Sequence, residues 1–134
     1  MDKLIGFFSL DRLYNYAGLL CGGLLAALGG WDMPLQALVG AMALDYISGV
    51  VAAVGEKTLS SRVGFSGLAK KMMIFLMVIL AGALDALVGA DSVCRTAVIT
   101  FYFVNEAVSL TENAAELGLP LPQKLLDILD QLKG

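Results

Sequence analysis

Apolar residues along this chain arrive in four blocks, each closed by a short polar or turn-forming segment. Residues 13–31 carry no charge, while residues 33–55, 72–90 and 96–111 carry one acid each. Each block approaches the roughly 20 residues that an α-helix needs to cross a hydrocarbon core. Tyr14, Tyr16 and Trp31 sit at the ends of the first block, where amphipathic rings favour the headgroup level. Asp32 and Pro34 mark the turn into the second, and Pro34 suits a first helical turn. Gly118, Pro120 and Pro122 stop the fourth. Two amphipathic segments flank the blocks. Residues 1–12 place Leu4, Ile5 and Phe8 at helical spacing and read as an interfacial arm. Residues 120–134 gather Leu125, Leu126, Ile128, Leu129 and Leu132 on one face, opposite Lys124, Asp127 and Asp130. The pattern predicts an all-α integral membrane bundle of about four transmembrane helices with short amphipathic helices at both ends. A three-span arrangement is the alternative, because five glycines dilute the first block.

Composition supports the membrane assignment and narrows the chemistry. The 134 residues are 58% hydrophobic and 16% charged, against roughly 25% charged in soluble domains. A net charge of −3 gives no basic footprint for nucleic acid. The chain has no histidine, so Ser48, Ser60, Ser61 and Ser109 lack the usual activating base. No phosphate-binding loop or metal-ligand cluster is present, and Cys21 and Cys94 are too far apart in sequence for a paired-cysteine motif. No enzyme, metal or cofactor is expected. The mixed charges of Asp2, Lys3, Asp11 and Arg12, followed by a long apolar block, do not resemble a cleavable signal peptide.

Residues 56–71 form the longest polar connection, with Lys57, Arg62, Lys70 and Lys71 against Glu56. Short loops rich in lysine and arginine stay cytoplasmic. With four spans this puts both termini in the cytoplasm and the Asp32 and Asp91 turns outside. Gly18, Gly22, Ala26 and Gly30 recur four apart, a small face that lets helix backbones approach closely. It serves either packing within the chain or self-association. Gly49 lies with Ala41 and Ala52 on nearly one side of the second block.

Polar groups in the last block carry the functional question. Tyr102, Asn105, Glu106, Ser109, Glu112 or Asn113, and Glu116 recur three or four residues apart, which puts them on one stripe of a helix. Asp45 is expected near the midplane, Asp85 toward the outside and Glu106 toward the inside. An aspartate at a helix centre costs about 2.5–3.5 kcal/mol on insertion scales. No lysine or arginine falls inside any of the four blocks, so no cationic partner is expected. The acids would then stay protonated, hydrogen-bond inside the bundle or face water.

At these residues the chain resembles the phage holins of the type that also includes toxin-secretion holins. The likeness runs through LDYISGVVAA at 44–53, Ser61, Gly67, Lys70, Lys71, Asp85 and Arg95, then FYFVNEAVSLTENAAELGLPLPQKL at 101–125. Its most specific piece is the fixed spacing from Asn105 to Pro122. The resemblance implies a small protein of the bacterial inner membrane that assembles with copies of itself. It then opens lesions through which an endolysin, or in relatives a toxin, crosses, with endolysin as a functional partner. It implies no catalytic residues. The candidates for lining or oligomer contacts are Asp45, Asp85, Tyr102, Asn105, Glu106, Ser109, Glu112 and Asn113. Some holins make an inhibitory longer form from two nearby start codons, but no methionine lies between Met1 and Met33.

Two other readings compete: a small proton-coupled transporter, which needs a titrating membrane acid, and an antiholin-like subunit, which does not kill cells alone. On the leading reading, Glu106→Leu keeps membrane insertion but abolishes lysis, measured by fractionation and culture density. Lysis on schedule would make the stripe structural.

Overall fold

The computed structural model describes residues 10–133. Its regular elements are five helices: α1 Leu10–Ala27, α2 Met33–Gly55, α3 Ser61–Val88, α4 Val93–Glu116 and α5 Gln123–Lys133. The expected N-terminal arm lies outside the described residues except for Leu10–Arg12, which open α1. Three helices, α2, α3 and α4, are long and apolar enough to cross a membrane. Helix α1 falls short because Asp11, Arg12 and Asn15 occupy its first turns.

Helix α4 is the hub. It packs along α2 and α3 and receives α5, while α2 and α3 touch each other only sparsely. The core is the layer where the three spans meet. Leu35, Leu38 and Met42 from α2 pack with Ile74 and Val78 from α3 and Ile99 from α4. These positions recur at three, four or seven residues, the period of one helix face. Leu28 from the α1–α2 turn closes this cluster at one end.

Two expectations about helix ends are corrected. Residues 61–71 were expected in a polar connection, but they form the first turns of α3. The Ser60 side chain caps that helix, accepting from the Val63 amide at 3.2 Å, and no proline interrupts the segment. A capped run without a breaker extends helically even where it is polar. The first block, expected to run to Trp31, stops at Ala27. Gly29 and Gly30 have φ of +88° and +99°, and their amides return to the Ala26 and Leu25 carbonyls. This is the left-handed glycine stop that satisfies the last carbonyls of a helix. Gly30 therefore lies beyond the helix. The remaining small face at Gly18 and Gly22 meets nothing within 4 Å, so packing inside the described chain does not use it. All of α1 is exposed.

The turn after α1 is held by Arg95. Its guanidinium donates from Nε to the Leu28 carbonyl at 2.7 Å and from Nη2 to the Gly30 carbonyl. It also grips Asp32 with two bonds, at 2.6 and 3.0 Å, the bidentate geometry that makes arginine–carboxylate pairs specific. A Cβ on Gly29 would stand 2.5 Å from Arg95 Nε, so the close approach requires glycine there. Asp32 also caps α2, accepting from the Leu35 amide.

The Arg95 hydrogen bonds, above all, hold the Asp32 carboxyl below its ordinary value of 3.8. A depressed folded value stabilises the fold above pH 3.8, and that contribution is lost as pH falls through the lower folded value. Asn is an equally good helix cap, so Asp32→Asn isolates the charge. The melting temperature of the wild type in detergent is expected to exceed that of Asp32→Asn at about pH 6, and the gap to close toward about pH 2. A gap that does not change with pH would contradict this.

Candidate functional site

The sequence offered three membrane acids and no cation to meet them. The structure supplies the cation from α3. Lys71 Nζ sits 2.7 Å from Asp45 Oδ2 on α2 and 2.6 Å from Glu106 Oε2 on α4. All three side chains are only 12–14% exposed. The expectation that no basic partner exists fails because Lys71 is helical. It projects from the third turn of α3 into the groove above α4 instead of lying in a loop.

A second ring of bonds steadies this cluster. Asn113 on α4 donates to Asp45 Oδ1 at 3.2 Å, to the Asp45 carbonyl at 3.3 Å and to Ser48 Oγ at 2.9 Å. Ser48 in turn donates to the Asp45 carbonyl at 2.9 Å. Gly49 packs beside it, with Asn113 Nδ2 3.5 Å from where its Cβ would be. Among the described residues no buried side-chain polar atom lacks a partner. Charges removed from water are tolerable under that condition.

The polar stripe on α4 splits into two. Tyr102, Glu106, Ser109 and Asn113, spaced by four, three and four, turn toward α2 and α3, and all four are buried or half-buried. Asn105 and Glu112, seven apart, lie on the next face and are exposed. The third acid does something else. Asp85 is buried at 5% exposure, and its carboxylate accepts the Cys94 and Arg95 amides, both at 2.8 Å. Ser92, with φ of +59°, makes no side-chain cap at the start of α4, so Asp85 caps that helix from a neighbouring one. The signal for this was a carboxylate a short turn before a helix that lacks its own side-chain cap. Asp32, Arg95 and Ser48 also belong to these polar layers; sequence marked Asp32 only as a turn residue and gave Arg95 and Ser48 no structural role.

The two ionic layers bracket the apolar slab. Between Lys71 and Asp85, α3 is free of charge from Met72 to Leu84, about 20 Å of helix at 1.5 Å per residue. A hydrocarbon core is roughly 30 Å thick. At least one of the two ionic layers therefore falls within that thickness or draws the bilayer in around it. The other basic residues of the segment, Lys57, Arg62 and Lys70, stay exposed.

This geometry belongs to a chain with clear relatives. The model of the bacteriophage holin family matches residues 23–134. The chain belongs to the bacteriophage holin family. It is 40% identical over 91 residues to a probable holin of Bacillus phage phi105, covering 68% of this chain and 67% of that protein. It is 37% identical over 130 residues to an uncharacterised 14.9 kDa protein of Clostridium perfringens, covering 93% of this chain and 98% of the relative. An uncharacterised protein of Bacillus subtilis, YqxH, is 30% identical over 132 residues, covering 97% of this chain and 85% of its own length. No solved structure matches.

Removing the central cation tests the site. Lys71→Met leaves two facing carboxylates without a cation, and breaking a buried pair from one side costs about 3–5 kcal/mol. Lys71→Met is expected to unfold earlier in detergent denaturation, and the triple variant Asp45→Asn/Lys71→Met/Glu106→Gln to recover most of the loss. Equal stability of the single variant and wild type would contradict the cluster.

Proposed function

We propose that this chain is a holin that accumulates in the bacterial inner membrane, assembles with copies of itself and opens lesions that release endolysin. Membership of the family and likeness to a probable phage holin support the reading. The observation that carries it is the enclosed Asp45–Lys71–Glu106 cluster. Charged groups within a membrane are expensive and mark functional positions. Here the three charged groups are ion-paired inside one chain, with Asn113 completing Asp45, so a monomer presents a mainly apolar surface to lipid and stays silent. When copies assemble, the inward stripe of α4 becomes the wetted wall of the lesion. A bundle of so few helices has no lumen for a folded protein, so the hole is built from many copies.

In the proposed topology the segment around Lys57 and Arg62 is cytoplasmic, and the Asp32 and Asp91 turns face outward. Helix α1 crosses as a fourth span, with Tyr14 and Tyr16 at the inner interface and Trp31 at the outer. Both termini are then cytoplasmic.

Inducible expression in a bacterium with a co-expressed cytoplasmic endolysin tests the function. Abrupt depolarisation and endolysin-dependent lysis after a delay are expected. Depolarisation with the endolysin retained would replace the protein-sized lesion by a small channel. No depolarisation would overturn the reading. Labelling of Asp11→Cys in a Cys21→Ser/Cys94→Ser background with a membrane-impermeant maleimide tests the topology. Protection in whole cells and labelling after permeabilisation are expected, and labelling of intact cells would leave α1 outside.

A further inference from the structure

Because α4 wedges between α2 and α3, those two helices stand apart beside the ionic cluster, and the gap holds two adjoining cavities. The first, about 580 Å³, reaches from Asp45, Ser109 and Asn113 to Lys70 in the third turn of α3 and out to Arg62 in its first. That volume lies within the roughly 300–1,000 Å³ of small-molecule sites. The second, about 260 Å³, is walled by Val39, Ala43, Leu68, Met72 and Phe75. Tyr46 and Lys71 line both. Gly64 and Gly67 on α3 lie beside Tyr46, their Cβ positions falling 3.4 Å from its hydroxyl and its ring respectively. A chamber that carries the charged groups thus adjoins an apolar groove, with Tyr46 and Lys71 at the boundary.

The chamber's charge is unbalanced. Arg62, Lys70 and Lys71 line it with the Asp45 carboxylate, and Lys71 is shared between Asp45 and Glu106, so the three cations outnumber the two carboxylates by one. Arg62 and Lys70 make no ion pair among the described residues. The positive end of the α3 dipole lies on the same side and adds to the field. An anion fits this chamber, and the groove beside it fits a hydrocarbon chain. One class of molecule carries both.

We propose that the α2–α3 gap is a binding site for an anionic phospholipid, with its phosphodiester headgroup against Arg62 and Lys70 and an acyl chain along the Val39–Met72–Phe75 groove. Basic pockets between membrane helices on the cytoplasmic side take such headgroups. Tyr46, at the junction, stands where an amphipathic ring meets the interface. The site rests on the proposed topology only for which leaflet supplies the lipid. Occupied, it seals the gap beside Lys71 and keeps water from the cluster.

The test is native mass spectrometry of the full chain in detergent with phosphatidylglycerol, phosphatidylcholine or inorganic phosphate. The wild type is expected to retain phosphatidylglycerol well above phosphatidylcholine. Arg62→Gln/Lys70→Gln should lower retention about 30-fold, near fivefold for each cation. Ala43→Phe, which fills the groove, should lower retention while leaving the cations in place. Both side chains of the double variant are exposed, so its helix content by circular dichroism should not change. Equal retention of the two lipids, unchanged retention in the double variant, or displacement by inorganic phosphate at the lipid's own concentration would each overturn the site. Binding is read without lysis, so failure here leaves the lesion-forming reading standing.

Discussion

One ammonium group placed between two carboxylates, each on a different helix, constrains everything around it. Lys71 can reach Asp45 and Glu106 together only if α2, α3 and α4 keep one mutual register. Apolar packing alone does not fix register in a membrane, because lipid tails compete with leucine side chains on equal terms. A buried ion pair is weak evidence for net stability, yet a half-broken one is strongly penalised. The cluster therefore acts more as a specification than as a glue. Asn113 and Ser48 extend it by fixing the Asp45 carboxylate and the backbone beside it.

At the other end of the slab, arginine replaces lysine and backbone replaces half the partners. Arg95 ties the α1–α2 turn to α4 through two carbonyls and Asp32, while Asp85 ties α3 to the first turn of α4 through two amides. Each polar layer thus links α4 to the helices it packs against. The apolar slab between them is about 20 Å deep along α3, short of a full hydrocarbon core. A bundle of this kind either encloses its inner charges or draws the bilayer in around them, at a modest cost per ångström of mismatch.

Under the proposed function, this arrangement suits a protein that is first harmless and then disruptive. With its membrane charges paired internally, one copy offers lipid a mostly apolar exterior. The exceptions are telling: Asn105 and Glu112 are exposed on α4, and the Gly18–Gly22 face of α1 meets no partner among the described residues. Those surfaces are available to a second copy, and the α2–α3 gap is available to lipid. Assembly would trade contacts within a chain for contacts between chains, with the same polar residues serving both states.

The sequence by itself determined the class of molecule. Blocks of apolar residues, the glycine and proline stops and the amphipathic Gln123–Lys133 are local properties, readable from period and length, and the helices follow them. The fixed spacing between Asn105 and Pro122 was enough to point to the holins, and the family match agrees. Tertiary structure alone decided what the charges do. Whether Lys71 is a loop cation or a buried partner depends on Ser60 starting a helix eleven residues earlier, and on two acids arriving at the same depth from helices 26 and 35 residues away. Asp85 likewise reads as a stranded membrane acid until α4 turns its bare amides toward it. Pairing across helices is set by register and crossing, and neither has a one-dimensional signature.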